Sequence, residues 1–175
     1  VDHPQMIFQD PIASLNPRMT VREIIAEGLI IRGVRDKKYI DEQVYKMLDL
    51  VGLVAEHAGR YPHEFSGGQR QRLLLAATLA VHPEIIVLDE PVSAMDPDGA
   101  NSLYELLYAI HKRYGTTIVV VEHRVDYLLP YVTDMIVLKE GQLVTASAYE
   151  EAARAMYEDE ELRPLVPALW QIKLG

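Results

Sequence analysis

The sequence predicts an α/β fold, a parallel sheet with an all-helical insertion between its strands, and three observations predict it. After Pro83 the segments "IIVLD", "TTIVVVEH" and "DMIVLKEG" are continuous β-branched runs, the pattern of strands buried on both faces of a parallel sheet. Between the first two, the stretch from about Gly99 to Tyr114 has helical spacing, which makes a strand-helix-strand crossover. Upstream, from Pro11 to His82, the apolar residues follow a helical period instead.

Taken in order, "QMIF" (Gln5 to Phe8) is a short apolar run stopped by Gln-Asp-Pro, so a strand ends by Asp10. "PIASLNPRMT" holds two prolines and an Asn-Pro pair and reads as a turn. Thr20 is placed to cap a helix from Val21, with Glu23 in capping-box position. Ile24, Ile25 and Leu29 form one apolar stripe, and Ile40, Val44, Met47, Leu48 and Val51 a second, punctuated by Gly33 and Gly52. "KEGQLV" reads as a tight turn into an edge strand, and "SAYEEAARAMYEDEEL" as a last amphipathic helix with an acidic face. The tail from Pro164 to Gly175 carries no pattern.

Composition removes several function classes. The 175 residues hold 17 Lys and Arg against 26 Asp and Glu, a formal net charge of −9; a duplex-binding protein needs a basic footprint, so no nucleic-acid partner is expected. There are no cysteines, which excludes disulfides, thiolate-bound zinc and thiol catalysis. Apolar stretches such as "LLLAA" fall far short of the roughly 20 residues that span a bilayer. No secretory signal opens the chain, so a cytosolic location is expected. The chain starts without Met, close to a strand, as the interior of a larger domain would.

The candidate chemistry sits at strand ends and at one helix start. In "EFSGGQRQRLLLA", Ser66, Gly67, Gly68 and Gln69 precede an apolar helix. Glycines admit an anion close to backbone N–H groups, and the helix dipole favours negative charge there; the bland alternative is a plain cap by Ser66. "IIVLDEP" ends a strand in two carboxylates. In nucleotide hydrolases an Asp so placed, here Asp89, holds Mg²⁺ beside the phosphates. A Glu directly after it, here Glu90, is placed to polarise the attacking water. The bland alternative is a strand that merely ends in solvated acids. "VVVEHR" brings His123 to a strand end, where a neutral imidazole can donate to a γ-phosphate. Gln9 follows the first strand likewise, and its amide oxygen can ligate Mg²⁺ or orient water. His3, His57, His63, His82 and His111 form no metal-ligand spacing and read as structural.

Together these residues resemble the nucleotide-binding domain of an ABC transporter, in family order along nearly the whole chain. "IFQDP" with Gln9 looks like the Q-loop, "FSGGQ" like the signature with Phe65 for the commoner leucine, "IIVLDE" like the Walker B strand, "SAMD" (Ser93 to Asp96) like the D-loop, and His123 like the switch histidine. The resemblance implies a P-loop NTPase-like core, incomplete at the N-terminus, and ATP and Mg²⁺ as ligands. It implies two domains dimerising head to tail, so that Ser66–Gln69 and Asp96 face a nucleotide held by the partner's P-loop. It also implies integral membrane permease subunits as partners, with the ATPase peripheral at the inner face of the membrane. No G-x-x-x-x-G-K-[ST] occurs in the chain, so it is expected to be inactive in isolation. The expected partition is a partial domain over 1–175: a core from 1–10 and 83–145, a helical signature subdomain over 11–82, and a C-terminal helix and tail over 146–175.

Two subfamilies share the resemblance. "MIFQDPIASLNPRMTV" and "YPHEFSGGQRQR" are similar to oligopeptide and dipeptide importer ATPases, whereas "VEHRVDYLLPYVTDMIVLKEGQLV" is similar to the cobalt and energy-coupling-factor group. Arg124 stands where the peptide group commonly has Asp. Three functions follow: the ATP-hydrolysing subunit of an importer, a soluble ABC ATPase, or a non-catalytic fragment. Soluble relatives typically carry Glu at the position of Gln69. For an importer, the segment from Pro11 to Tyr61 is the expected permease-docking surface, with Ile12, Leu15, Met19 and Ile30 as apolar candidates.

Overall fold

The computed structural model describes residues 5–7, 15–93, 95–123, 125–167 and 171–173. Its backbone falls into two compact units, Val1–Val121 and Glu122–Gly175.

In the first unit, helix α1 (Val21–Ile31) begins with the expected box: the Thr20 hydroxyl accepts from Glu23 N–H while Glu23 accepts from Thr20 N–H at 2.7 Å. Helix α2 (Lys37–Leu50) is capped instead by Asp36, whose carboxylate takes the N–H groups of Lys38 and Tyr39. Gly33 and Gly52 end the two helices with φ of 90° and 72°, left-handed values that glycine adopts without steric cost. Helix α3 (Gly67–Leu79) packs against both. The three helices bury the predicted stripes, Ile25 and Leu29 from α1, Val44 and Met47 from α2, and Leu73, Ala76 and Leu79 from α3.

Strands β1 (Gln5–Ile7), β2 (Ile85–Asp89) and β3 (Thr117–Val121) form a parallel sheet in the order β1-β2-β3. Met6 pairs with Val87 and Val87 with Val119, so β2 is central. Helix α4 (Pro97–Tyr114) makes the crossover from β2 to β3. It starts two residues before the expected Gly99, because Asp96 caps it by accepting Gly99 N–H at 2.7 Å and Pro97 takes the first turn. It stops at Gly115, φ 70°, with Lys112 and Arg113 in the last turn, where cations suit the dipole. Ile86 and Leu88 of β2 are fully buried. β3 is not buried on both faces as its β-branched run suggests: Thr117, Val119 and Val121 share one face and are exposed, and their partners on that face of β2, Ile85, Val87 and Asp89, are exposed or half-buried too.

The second unit departs further from expectation. "DMIVLKEG" forms β4 (Asp134–Lys139), which pairs antiparallel with β5 (Gln142–Ala148) and not as a strand of the parallel sheet. Lys139 faces Gln142 across Glu140-Gly141, whose φ values of 49° and 75° are those of a two-residue hairpin turn. Helix α5 (Tyr149–Glu158) covers one face, where Val137, Ala152, Met156, Leu162 and Val166 make a small core. Lys139 reaches the Asp159 carboxylate at 2.8 Å and that of Glu161 at 2.8 Å, fastening the hairpin to the chain after α5. No described helix is long and apolar enough to cross a membrane.

Candidate functional site

Asp89 is the last residue of the central strand, paired with Val121 of β3. It and Glu90 therefore stand at the carboxyl edge of a parallel sheet, the side on which open α/β sheets bind ligands. Both are half-buried. Glu90 takes a left-handed φ of 43° while its N–H donates to the Val121 carbonyl at 2.9 Å. A non-glycine residue in that conformation costs on the order of 1–2 kcal/mol, and such strain collects at functional positions. The turn beyond is closed by Ser93 N–H to the Glu90 carbonyl at 3.2 Å and Met95 N–H to the Val92 carbonyl at 3.0 Å. It delivers the chain to the Asp96 cap of α4, where the Asp96 carboxylate is spent locally on Gly99 N–H.

The SGGQ turn forms a helix cap and leaves part of its backbone open. Ser66 does cap α3: its hydroxyl accepts from Gln69 N–H at 3.3 Å, and the Gln69 amide oxygen accepts from Ser66 N–H at 3.0 Å. That box occupies the acceptors of Ser66 and Gln69 but satisfies only part of the first turn. Helix geometry leaves the N–H groups of Gly67 and Gly68 without an intrahelical acceptor. A Cβ on Gly68 would meet nothing nearer than the Met95 terminal methyl at 3.9 Å, an ordinary contact. Internal packing therefore does not require glycine here, and the open backbone suits an anion approaching from outside.

Packing and one hydrogen bond hold the residues around this turn. Phe65 is buried, and the His57 ring meets it edge-on at 5.0 Å between centroids. The Arg70 Nε donates to the Phe65 carbonyl at 3.1 Å. Of the other histidines, His111 Nδ1 lies 3.0 Å from the Thr116 carbonyl, and His63 stacks on Tyr61. His123 lies on an exposed bend two residues after β3, within the second unit. Gln9, His3, Ile12 and Arg124 lie outside the described residues. Of the docking candidates, Ile30 is exposed and Met19 half-buried, but Leu15 is buried, 4% exposed, and belongs to the core.

No group of three His, Cys, Asp or Glu side chains is gathered for a metal ion among the described residues. Asp89 with one neighbour nevertheless fits Mg²⁺, which commonly takes one or two carboxylates and completes its shell with substrate phosphates and water.

A parallel sheet with acids at its carboxyl edge, joined to a helical segment that begins in an open Ser-Gly-Gly turn, is the architecture of an ATP-binding cassette. The family model described as "ABC transporter" matches residues 2–93, and the chain belongs to that family. It is 46% identical over 167 residues to the oligopeptide transport ATP-binding protein OppF of Bacillus subtilis, covering 94% of this chain and 53% of that protein. It is 44% identical over 149 residues to the dipeptide transport ATP-binding protein DppF of Lactococcus lactis, covering 84% and 47%. The chain thus spans about half the length of the curated relatives it matches. Among solved structures, CbiO1 of Clostridium perfringens, part of the ABC transporter complex cbiONQ, superposes with a TM-score of 0.75 at 25% identity over 93% of this chain and 65% of that one. The dimeric bacterial ABC transporter cassette MJ0796 gives 0.73 at 29% identity over 84% and 63%.

Proposed function

We propose that this chain is part of the ATP-hydrolysing subunit of a peptide importer and supplies the half of a composite site that completes a nucleotide bound elsewhere. The observation that carries the reading is the pairing of Asp89 with a strained Glu90 at the sheet edge. Glu90 accepts a proton from the attacking water as its oxygen bonds the γ-phosphorus; the bond to the β-phosphate bridging oxygen breaks, giving ADP and phosphate. Asp89, with the amide oxygen of Gln9, would hold Mg²⁺, which supplies charge neutralisation at the phosphates. His123 serves as a donor to the γ-phosphate. Ser66, Gly67, Gly68 and Gln69 form the clamp offered to the nucleotide of a second ABC ATPase domain, with Asp96 in the segment that meets that partner.

The peptide class is favoured over the cobalt group by identity: 46% to an oligopeptide transport protein against 25% to CbiO1. Integral membrane permease subunits are the partners that would hold the ATPase at the cytoplasmic face, and no nucleic acid is involved. Because the 175 residues contain no P-loop motif, the chain alone turns over no ATP. The cradle of backbone amides and lysine has to come from another segment. The test is a phosphate-release assay on the purified chain, then with a P-loop-bearing domain of the same importer added. The expected result is no turnover alone and Mg²⁺-dependent turnover in the mixture. Steady turnover by the chain alone, lost in Glu90→Gln, would refute the inactivity; an inert mixture would refute the trans assignment. Co-purification only with soluble proteins, never with a membrane subunit, would refute transport.

A further inference from the structure

The start of α3 and the start of α4 lie side by side: a Cβ on Gly68 would come 3.9 Å from the Met95 terminal methyl. One turn further along, the Arg72 guanidinium donates from Nη2 to Ser102 Oγ at 2.8 Å and from Nη1 to the Val51 carbonyl at 2.8 Å. Val51 is the C-cap of α2, and the carbonyl is offered at the left-handed turn of Gly52. A Cβ on Gly52 would lie 3.4 Å from Arg72 Nη1, so the turn also keeps the approach slim. One side chain thus joins the end of α2, the body of α3 and the second turn of α4.

We propose that Arg72 is a positioning residue: its fork fixes the SGGQ turn relative to the strand that carries Asp89 and Glu90, by clamping α3 to Ser102 of α4. The inference rests on the proposed role of that turn as a clamp on a nucleotide in trans. The mechanical path is short. From Glu90 the chain runs through the turn closed at Ser93 and Met95 to the Asp96 cap, and so into α4. A planar guanidinium holding two acceptors sets direction as well as distance, which an ammonium on a flexible stem does not. Such a clamp matters because a misplacement of about 1 Å in a positioned group can cost on the order of 100-fold in rate.

The test uses Ser102→Ala, which removes only the α4 arm and leaves Arg72 on Val51, alongside Arg72→Met and the conservative Ser102→Thr. In the purified chain, hydrogen exchange at the amides of Gln69 and Arg70, both bonded to Ser66, is compared with exchange at Val87 and Val119 in the sheet. Losing one charge-assisted bond should speed exchange at Gln69 and Arg70 by about three- to tenfold in Ser102→Ala, with the sheet amides unmoved and Ser102→Thr restoring protection. Unchanged exchange at Gln69 and Arg70, or an equal rise at Val87 and Val119, would overturn the inference. In the assembled ATPase, Ser102→Ala should lower kcat by about tenfold with KM for ATP held within about twofold; a change confined to KM would also overturn it. A wild-type assembly with no ATPase activity would instead sink the proposed function, leaving the exchange result to decide the tie.

Discussion

The backbone N–H of Glu90 donates to the carbonyl of Val121 at 2.9 Å, one residue beyond the last ladder pair of Asp89 with Val121, while Glu90 itself is held at φ 43°. That bond closes the Asp89–Val121 pair of the parallel ladder, and the residue that donates it is held in a conformation that disfavours any side chain. A carboxylate kept at such a position suggests that its chemistry outweighs the strain.

That balance can be separated by substitution. Glu90→Ala and Glu90→Gly both remove the carboxylate, so in the domain completed with its own P-loop segment both should slow hydrolysis by about 10²–10⁴-fold, as for any lost general base. They should differ in stability. Glycine relieves roughly 1–2 kcal/mol of left-handed cost and loses about 0.5–1 kcal/mol in unfolded-chain entropy. Glu90→Gly should therefore be more stable than Glu90→Ala by about 0.5–1 kcal/mol, read by urea unfolding of the purified chain. Equal stability would place the strain elsewhere, and retained turnover in either variant would remove Glu90 as the base.

Gly28 tests the helical packing. A Cβ there would lie 2.5 Å from Val81 Cγ1, closer than any real contact, and Val81 is itself buried. Alanine is otherwise the better helix former by about 1 kcal/mol. The clash should win, since overpacking costs typically about 1–3 kcal/mol. Gly28→Ala should lower the melting temperature, and Gly28→Ala with Val81→Ala should recover part of the loss. A single variant as stable as the parent would mean that α1 and Val81 separate freely.

Much of this architecture is legible in the sequence because it is decided locally. The Thr20–Glu23 box, the Glu140-Gly141 turn and the β2–α4–β3 crossover each follow from residues close together in the chain. β4 is less so. A continuous apolar run suits an interior parallel strand, but it suits equally a hairpin strand with Val137 under α5 and Ile136 and Leu138 exposed on the other face. Periodicity cannot separate the two. The candidate site divides the same way. Asp89, Glu90 and the SGGQ turn announce themselves by position, whereas the Arg72 fork does not. It joins residues 21 and 30 positions away, and nothing local marks those partners.

Acid should loosen the second unit through Asp159. The Lys139 ammonium hydrogen-bonded to it, with the N–H groups of Glu161 and Leu162, holds its carboxyl below the ordinary range. A carboxyl whose folded pKa is depressed contributes stability in full above its unfolded value, about 3.9. That contribution is lost as the pH falls through the lower folded value. The urea midpoint of the hairpin–α5 unit should therefore fall as the pH drops below about 4, and Asp159→Asn should flatten that limb. An acid limb as steep in Asp159→Asn as in the parent would assign it to other carboxylates.

The final prediction separates capping from clamping at the SGGQ turn. Ser66→Ala removes the hydroxyl that accepts from Gln69 N–H, so it should destabilise the chain by about 1 kcal/mol whatever the turn does functionally. Its effect on turnover is therefore ambiguous. Gly68→Ala is not. The added methyl would meet only Met95 at 3.9 Å, and alanine is favoured over glycine in a helix by up to about 1 kcal/mol. The purified variant should be as stable as the parent or more so. In the trans assembly the same methyl would stand between the Gly68 N–H and an approaching phosphate, and removing one preorganised donor of this kind costs roughly 2.7–4 kcal/mol of transition-state stabilisation. Turnover should fall by about 10²–10³-fold at undiminished stability. Full activity in Gly68→Ala would reduce SGGQ to a helix cap; lost activity with lost stability would trace the glycine to packing instead.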